Sequence, residues 1–126
     1  MQGGIKTFSN TGTIKNIGST EPSSEIKVSS GVYLYKNTIE NFTNSGLISG
    51  IKGLNLLQGN IDTLINAGTI ESTSSNKNAA AISINTFYSN VSVIDNLTNS
   101  GLIKSNSHGI QAESEIRLIL LLIKVL

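Results

Sequence analysis

Ile94-Asp95-Asn96-Leu97-Thr98-Asn99-Ser100-Gly101-Leu102-Ile103 is a phrase that the chain writes four times. The other copies run over residues 5–14 (IKTFSNTGTI), 39–48 (IENFTNSGLI) and 61–70 (IDTLINAGTI), so the shared pattern is Ile-x-x-(Phe/Leu)-x-Asn-x-Gly-x-Ile. Its glycines, at 12, 46, 68 and 101, are 34, 22 and 33 residues apart. Self-similarity at such a period marks a solenoid, in which one small unit stacks on the next because it cannot bury its apolar face alone. The shortest spacing defines the bare coil, and the longer two carry insertions. One insertion surrounds Glu21-Pro22-Ser23-Ser24-Glu25 and the other runs through Ser72-Thr73-Ser74-Ser75-Asn76-Lys77-Asn78. Tracts of Ser, Asn and Pro leave a coil as loops.

Between the phrases lies a second element: Gly31-Val32-Tyr33-Leu34, Gly53-Leu54-Asn55-Leu56, Ala81-Ile82-Ser83-Ile84 and Gly109-Ile110-Gln111-Ala112. Its apolar residues alternate with period two, which argues short strands; a helix would repeat them at three and four. Short strands separated by tight turns and repeated in series predict an all-β, right-handed parallel β-helix of about four to five coils with two loop insertions. Neighbouring coils pair at about 4.8 Å.

Each phrase position then becomes a column. Ile5, Ile39, Ile61 and Ile94 form one inward ladder. Phe8, Phe42, Leu64 and Leu97 form a second, and Ile14, Ile48, Ile70 and Ile103 a third. β-Branched and aromatic residues suit a pleated surface of this kind. Asn10, Asn44, Asn66 and Asn99 are expected to stack at a corner, where asparagine tolerates a left-handed backbone and its amide can bond the amide of the next coil. Gly12, Gly46, Gly68 and Gly101 follow two residues later, and the expectation is a turn with positive φ, which glycine adopts without steric cost. A leucine-rich repeat would fit the 22-residue spacing, but this phrase puts Asn and Gly where that pattern needs Leu-x-Leu.

Composition agrees with a solenoid. With 38% hydrophobic residues the chain has material for a core, and with 13% charged residues its exterior must consist mostly of Ser, Thr, Asn and Gly. A net charge of +1 supplies no basic patch for nucleic acid and no acidic block for storing cations. Cysteine is absent, which excludes a disulfide framework and a thiolate metal site. Met1-Gln2-Gly3-Gly4-Ile5-Lys6 contains no apolar h-region, so the expectation is a chain without a secretion signal of its own.

The phrase at residues 94–103 and its three relatives resemble the repeats in passenger domains of Gram-negative autotransporters, the type V secreted proteins. The resemblance covers residues 5 to about 112 and marks a β-helical passenger, not a particular activity. It implies a secreted or outer-membrane-tethered surface rod, an adhesin-like or virulence-associated module whose full-length relatives sit at the cell surface and meet a host-cell glycan or protein. Such proteins also carry a signal peptide and a C-terminal membrane barrel. Barrel strands need several alternating segments of about ten residues with aromatic girdles, and three Tyr, three Phe and no Trp offer none. The reading is therefore of a fragment: residues 1–115 as solenoid and 116–126 as a separate apolar tail.

Catalysis finds little support. Glycan-cleaving β-helices need clustered carboxylates for acid–base work or for calcium. Of the acids here, only Glu40, Asp62 and Asp95 share a repeat position; they predict an outward, solvated column, and no general base or basic partner repeats beside them. His108 stands alone in a turn-like Ser-His-Gly, which builds neither a metal site nor a triad. No phosphate loop or GGxGxD calcium repeat is present, so no cofactor or metal is expected. The three sequons, at Asn41, Asn90 and Asn96, are what chance gives in so Asn- and Ser-rich a chain. Tyr33 and Tyr35 flank Leu34 and share one strand face; with Tyr88 they are candidates for contacting a glycan or partner. The reading is a non-catalytic structural or adhesive surface module, not an enzyme, and the alternative is a fragment of a carbohydrate-active β-helix such as a polysaccharide lyase or hydrolase. Open strand edges at the ends of a cut solenoid predict self-association unless the tail covers one of them.

The tail, Ile116-Arg117-Leu118-Ile119-Leu120-Leu121-Leu122-Ile123-Lys124-Val125-Leu126, breaks the pattern and is too short to span a membrane, which takes about 20 residues. An Ile/Asn/Lys-rich chain suggests an A/T-rich gene. Assumed codons AGA TTA ATA TTA TTA TTA ATA AAG GTA TTA for residues 117–126, read from the third base, give Ile-Asn-Ile-Ile-Ile-Asn-Lys-Gly-Ile. That is the repeat phrase again, beginning eight residues after Gly109, as at 31 to 39 and 53 to 61. The expectation is a shift of frame between the codons for about Gly109 and Arg117, leaving an apolar, aggregation-prone tail.

Overall fold

A computed structural model describes residues 4–18, 29–85, 91–112 and 121–122. Each coil is three short strands. The first half of the phrase makes one, and the asparagine-to-glycine turn leads into a second. The alternating Val/Leu/Ile element makes the third. The first coil holds β1 (Gly4–Asn10), β2 (Thr13–Lys15) and β3 (Ser30–Tyr35), and the second holds β4 (Thr38–Asn44), β5 (Leu47–Gly50) and β6 (Lys52–Leu57). The third holds β7 (Asn60–Asn66), β8 (Thr69–Ser72) and β9 (Ala80–Asn85), and the fourth β10 (Val93–Asn99), β11 (Leu102–Lys104) and β12 (His108–Ala112). β13 (Leu121–Leu122) begins a fifth.

Corresponding strands stack into three parallel sheets among the described residues: β1-β4-β7-β10-β13, β2-β5-β8-β11 and β3-β6-β9-β12. This is a parallel β-helix of four full coils. Ile5 pairs with Ile39, Ile39 with Ile61, and Ile61 with Ile94, while Phe8, Phe42, Leu64 and Leu97 stack in the same register. Ile14, Ile48, Ile70 and Ile103 form the third column. Like therefore lies on like, and the Phe8 and Phe42 rings stack with centroids 4.5 Å apart.

The spacing of three between Ile and Phe/Leu has a local cause. Ile39 and Phe42 are both buried while Glu40 and Asn41 between them are both exposed, so strict alternation slips by one residue in the first strand of the coil. Asn41 and Asn96 exploit the slip. Their side-chain amides donate to the Lys6 and Asp62 carbonyls, each one coil away, at 3.5 and 3.2 Å.

Burial follows position along the stack. Ile39, Phe42, Ile48, Ile61, Leu64 and Ile70, in the second and third coils, are buried, as are Ile94 and Leu97 in the fourth. At the first coil Ile5 is 39% exposed, and Phe8 and Ile14 are half-buried; Ile103 at the other end is also half-buried. An end coil lacks a neighbour on one side, so its ladder members cover only half of their surface.

Two expectations about the corner are corrected. No described glycine has positive φ, and neither does any of the four asparagines: the left-handed residues are Lys36 (φ 50°) and Gln58 (φ 54°). These follow β3 and β6 at equivalent positions, where the chain turns from the third sheet back to the first. The repeat glycines are required for a different reason. A Cβ at Gly46 would lie 1.9 Å from the Gly12 carbonyl oxygen, and one at Gly68 or Gly101 would lie 2.1 Å from the glycine carbonyl one coil below. Glycine is needed because backbone stacks directly on backbone.

The insertions also divide differently. The first lies between β2 and β3, and its Glu21–Glu25 core falls outside the described residues. The third coil splits its extra length between two corners, one before β9 and one between β9 and β10. Within the first of these, the Asn76 side-chain oxygen accepts from Asn78 N at 2.9 Å and Ser74 Oγ from Asn76 N at 3.1 Å, local bonds that replace a sheet ladder.

Candidate functional site

Three polar or aromatic features remain once the apolar core is assigned: the buried asparagine corner, the exposed carboxylate column and the tyrosine pair. At the corner, Asn10 Nδ2 donates to Asn44 Oδ1 at 2.8 Å, Asn44 Nδ2 to Asn66 Oδ1 at 2.8 Å, and Asn66 Nδ2 to Asn99 Oδ1 at 2.7 Å. Each of these amides also reaches the glycine carbonyl two residues on, at 3.2 Å, and the carbonyl of Leu47, Thr69 or Leu102 on the next coil, at 3.1 to 3.2 Å. All four asparagines are buried, at 7% exposure or less. A buried amide with its donors satisfied fixes register, and this column does structural work.

Glu40, Asp62 and Asp95 are exposed and in register, bracketed by the Ile39–Ile61–Ile94 and Asn41–Thr63–Asn96 pairings. Among the described residues, no three His, Cys, Asp or Glu side chains gather closely enough to share a metal ion. His108 opens β12 on the surface, its Nε2 3.2 Å from the Lys77 carbonyl oxygen of the insertion loop. Glu71 accepts a 2.9 Å hydrogen bond from the buried Ser49 hydroxyl one coil below.

Among the described residues, the tyrosine pair is the one exposed aromatic surface. In β3, Val32 and Leu34 turn inward to pack on the core, so Tyr33 and Tyr35 turn outward. They are 36% and 45% exposed, and their rings lie nearly parallel, 9° apart in plane with centroids 6.0 Å apart. Lys36, at the left-handed corner that follows, places Nζ 5.1 Å from the centroid of the Tyr35 ring. A cation over a tyrosine face is attracted to the ring quadrupole. Desolvation pushes the Tyr33 phenol above its ordinary value of 10.0, and the neighbouring Tyr35 adds repulsion in the same direction.

Within the third sheet, the described aromatic surface is confined to this edge strand. On β6 the partners of Tyr33 and Tyr35 are Asn55 and Leu57, and on β9 Asn55 and Leu57 meet Ser83 and Asn85; all four are buried. Asn85 Nδ2 donates to Asn55 Oδ1 at 2.7 Å, a second amide contact between coils that the sequence did not announce. Tyr88 lies outside the described residues. Lys36 is also a residue that sequence reading passed over; its signal was a cation directly after the Tyr-Leu-Tyr alternation. Comparison with protein-family models, curated proteins and solved structures finds no match for this chain.

Proposed function

We propose that the chain is a non-catalytic structural and adhesive module, a stretch of β-helical rod of the autotransporter-passenger type that acts at a cell surface. The observation that carries this reading is the Tyr33–Tyr35–Lys36 cluster: a parallel, partly exposed aromatic pair with an adjacent cation, held on the end strand of a stacked sheet. Aromatic faces bind the apolar C–H faces of sugar rings and lose little conformational entropy in doing so, since each tyrosine has only two side-chain torsions. Lys36 adds a site for an acidic group on the same ligand. The favoured partner is thus a host-cell surface glycan.

A glycan array probed with the folded chain, alongside a chain carrying Tyr33→Ala and Tyr35→Ala, tests this. The expected result is binding that the double substitution reduces about tenfold or more, with the β-rich far-UV spectrum unchanged. Equal binding by both chains, or none by either, overturns the reading. Release of reducing ends from a polysaccharide would transfer support to the alternative, a carbohydrate-active β-helix.

A further inference from the structure

The two ends of the solenoid are complementary to each other and unequal in cover. The asparagine ladder is polar: every amide donates toward the C-terminal end of the stack, so Asn44, Asn66 and Asn99 each accept at Oδ1 from the coil below. Asn10, in the first described coil, accepts there from its own Gly12 N at 3.3 Å. At the opposite end Asn99 Nδ2 donates to its own Gly101 carbonyl at 3.3 Å and, among the described residues, makes none of the onward bonds to a further coil that Asn66 makes. The glycine column ends the same way. Gly46, Gly68 and Gly101 sit on a carbonyl from the coil below, while a Cβ at Gly12 would meet nothing within 4 Å. The first coil of one chain therefore presents the acceptor, the glycine space and the Ile5, Phe8 and Ile14 column ends that the fourth coil of another chain would continue.

β13 stands in the way of that continuation. Leu121 pairs with Leu97 and Leu122 with Thr98, so β13 occupies the place of a fifth coil on the first sheet. The burial matches: Ile94 and Leu97 are 5% and 3% exposed, whereas of their counterparts at the other end Ile5 is 39% exposed and Phe8 only half-buried. We propose that β13 is a stop that blocks head-to-tail stacking of this chain on a second copy of itself, and that the first coil, β1 to β3, is the docking face for the fourth coil of that copy. A head-to-tail contact of this kind does not close on itself and yields open rods when nothing caps it. The inference does not depend on what the tyrosine pair binds.

The test compares the full chain with one ending at Ala112, by sedimentation velocity and electron microscopy. Removing an apolar segment lowers non-specific aggregation, so a gain of assembly on its removal has the opposite sign. The shortened chain is expected to form rods with a mass about tenfold or more above that of the full chain. Gly12→Ala in the shortened chain is the control: the added methyl has open space in its own coil but would collide with the Gly101 carbonyl of a docked copy, so it should abolish the rods without changing the far-UV spectrum. Where the shortened chain loses its β spectrum, full-length Leu121→Pro takes a ladder N–H from β13, releases it from β10 instead and should give the same rods. Equal assembly by the full chain and the released chains, or rods undiminished by Gly12→Ala, overturns the proposal.

Discussion

Glycine in this repeat is a spacer, and the two possible reasons for it make opposite predictions. A requirement for positive φ would make all four glycines equally intolerant of a side chain. Close stacking makes them unequal, because Gly12 faces open space while Gly68 meets the Gly46 carbonyl oxygen at 2.1 Å from an added Cβ. Gly68→Ala should therefore lower stability by about 1–3 kcal/mol, the usual range for overpacking against atoms that cannot move aside. Gly12→Ala should change the melting temperature little. Thermal unfolding of the two variants decides between the accounts, and equal losses would restore the φ argument. The asparagines beside these glycines hold register because each amide has one arrangement that satisfies every neighbour, with its oxygen toward the coil below and its nitrogen toward the coil above.

At the scale of the strand, β3 differs from β6 and β9 in carrying Tyr33 and Tyr35 where they carry Asn55 with Leu57 and Ser83 with Asn85. This edge position leaves the two phenols half in water, and it sets a pH dependence. Because desolvation, and then Tyr35, raise the Tyr33 pKa above 10.0, the folded chain holds that proton more tightly than the unfolded chain does. The resulting stability is fully present below the unfolded value and is lost as pH rises from there through the folded value. Tyr33→Phe should flatten the alkaline fall in stability above about pH 10. Denaturant midpoints across that range would show it, and an identical alkaline slope in the variant would refute the assignment.

At the scale of the whole molecule, β13 joins the fold at the place where another coil would begin. In the alternate reading frame, the apolar fourth position of the phrase falls at residue 120, one residue before Leu121, which sits opposite Leu97. The shift of frame expected from the sequence would put a further phrase at this point of the chain. Sequencing the gene tests this directly: the frame beginning at the third base of codon 117 should encode Ile-Asn-Ile-Ile-Ile-Asn-Lys-Gly-Ile and run on into further repeats. Any other sequence in that frame discards the frameshift.

The sequence by itself determined the coil: its length, its three strands, which residues form the inward ladders, and that asparagine would stack on asparagine. These were legible because a solenoid uses each phrase position for the same task in every coil, so four copies report one environment four times. Single residues without a repeat carried no such signal, which is why Lys36 at the left-handed corner and the Asn85–Asn55 bond went unread. Only the tertiary structure decided why glycine recurs, because the clash that excludes a side chain comes from a carbonyl 22 to 34 residues earlier. It also decided which end of the stack is covered. That depends on where β13 lands, and no local preference of Leu121 or Leu122 specifies a partner strand.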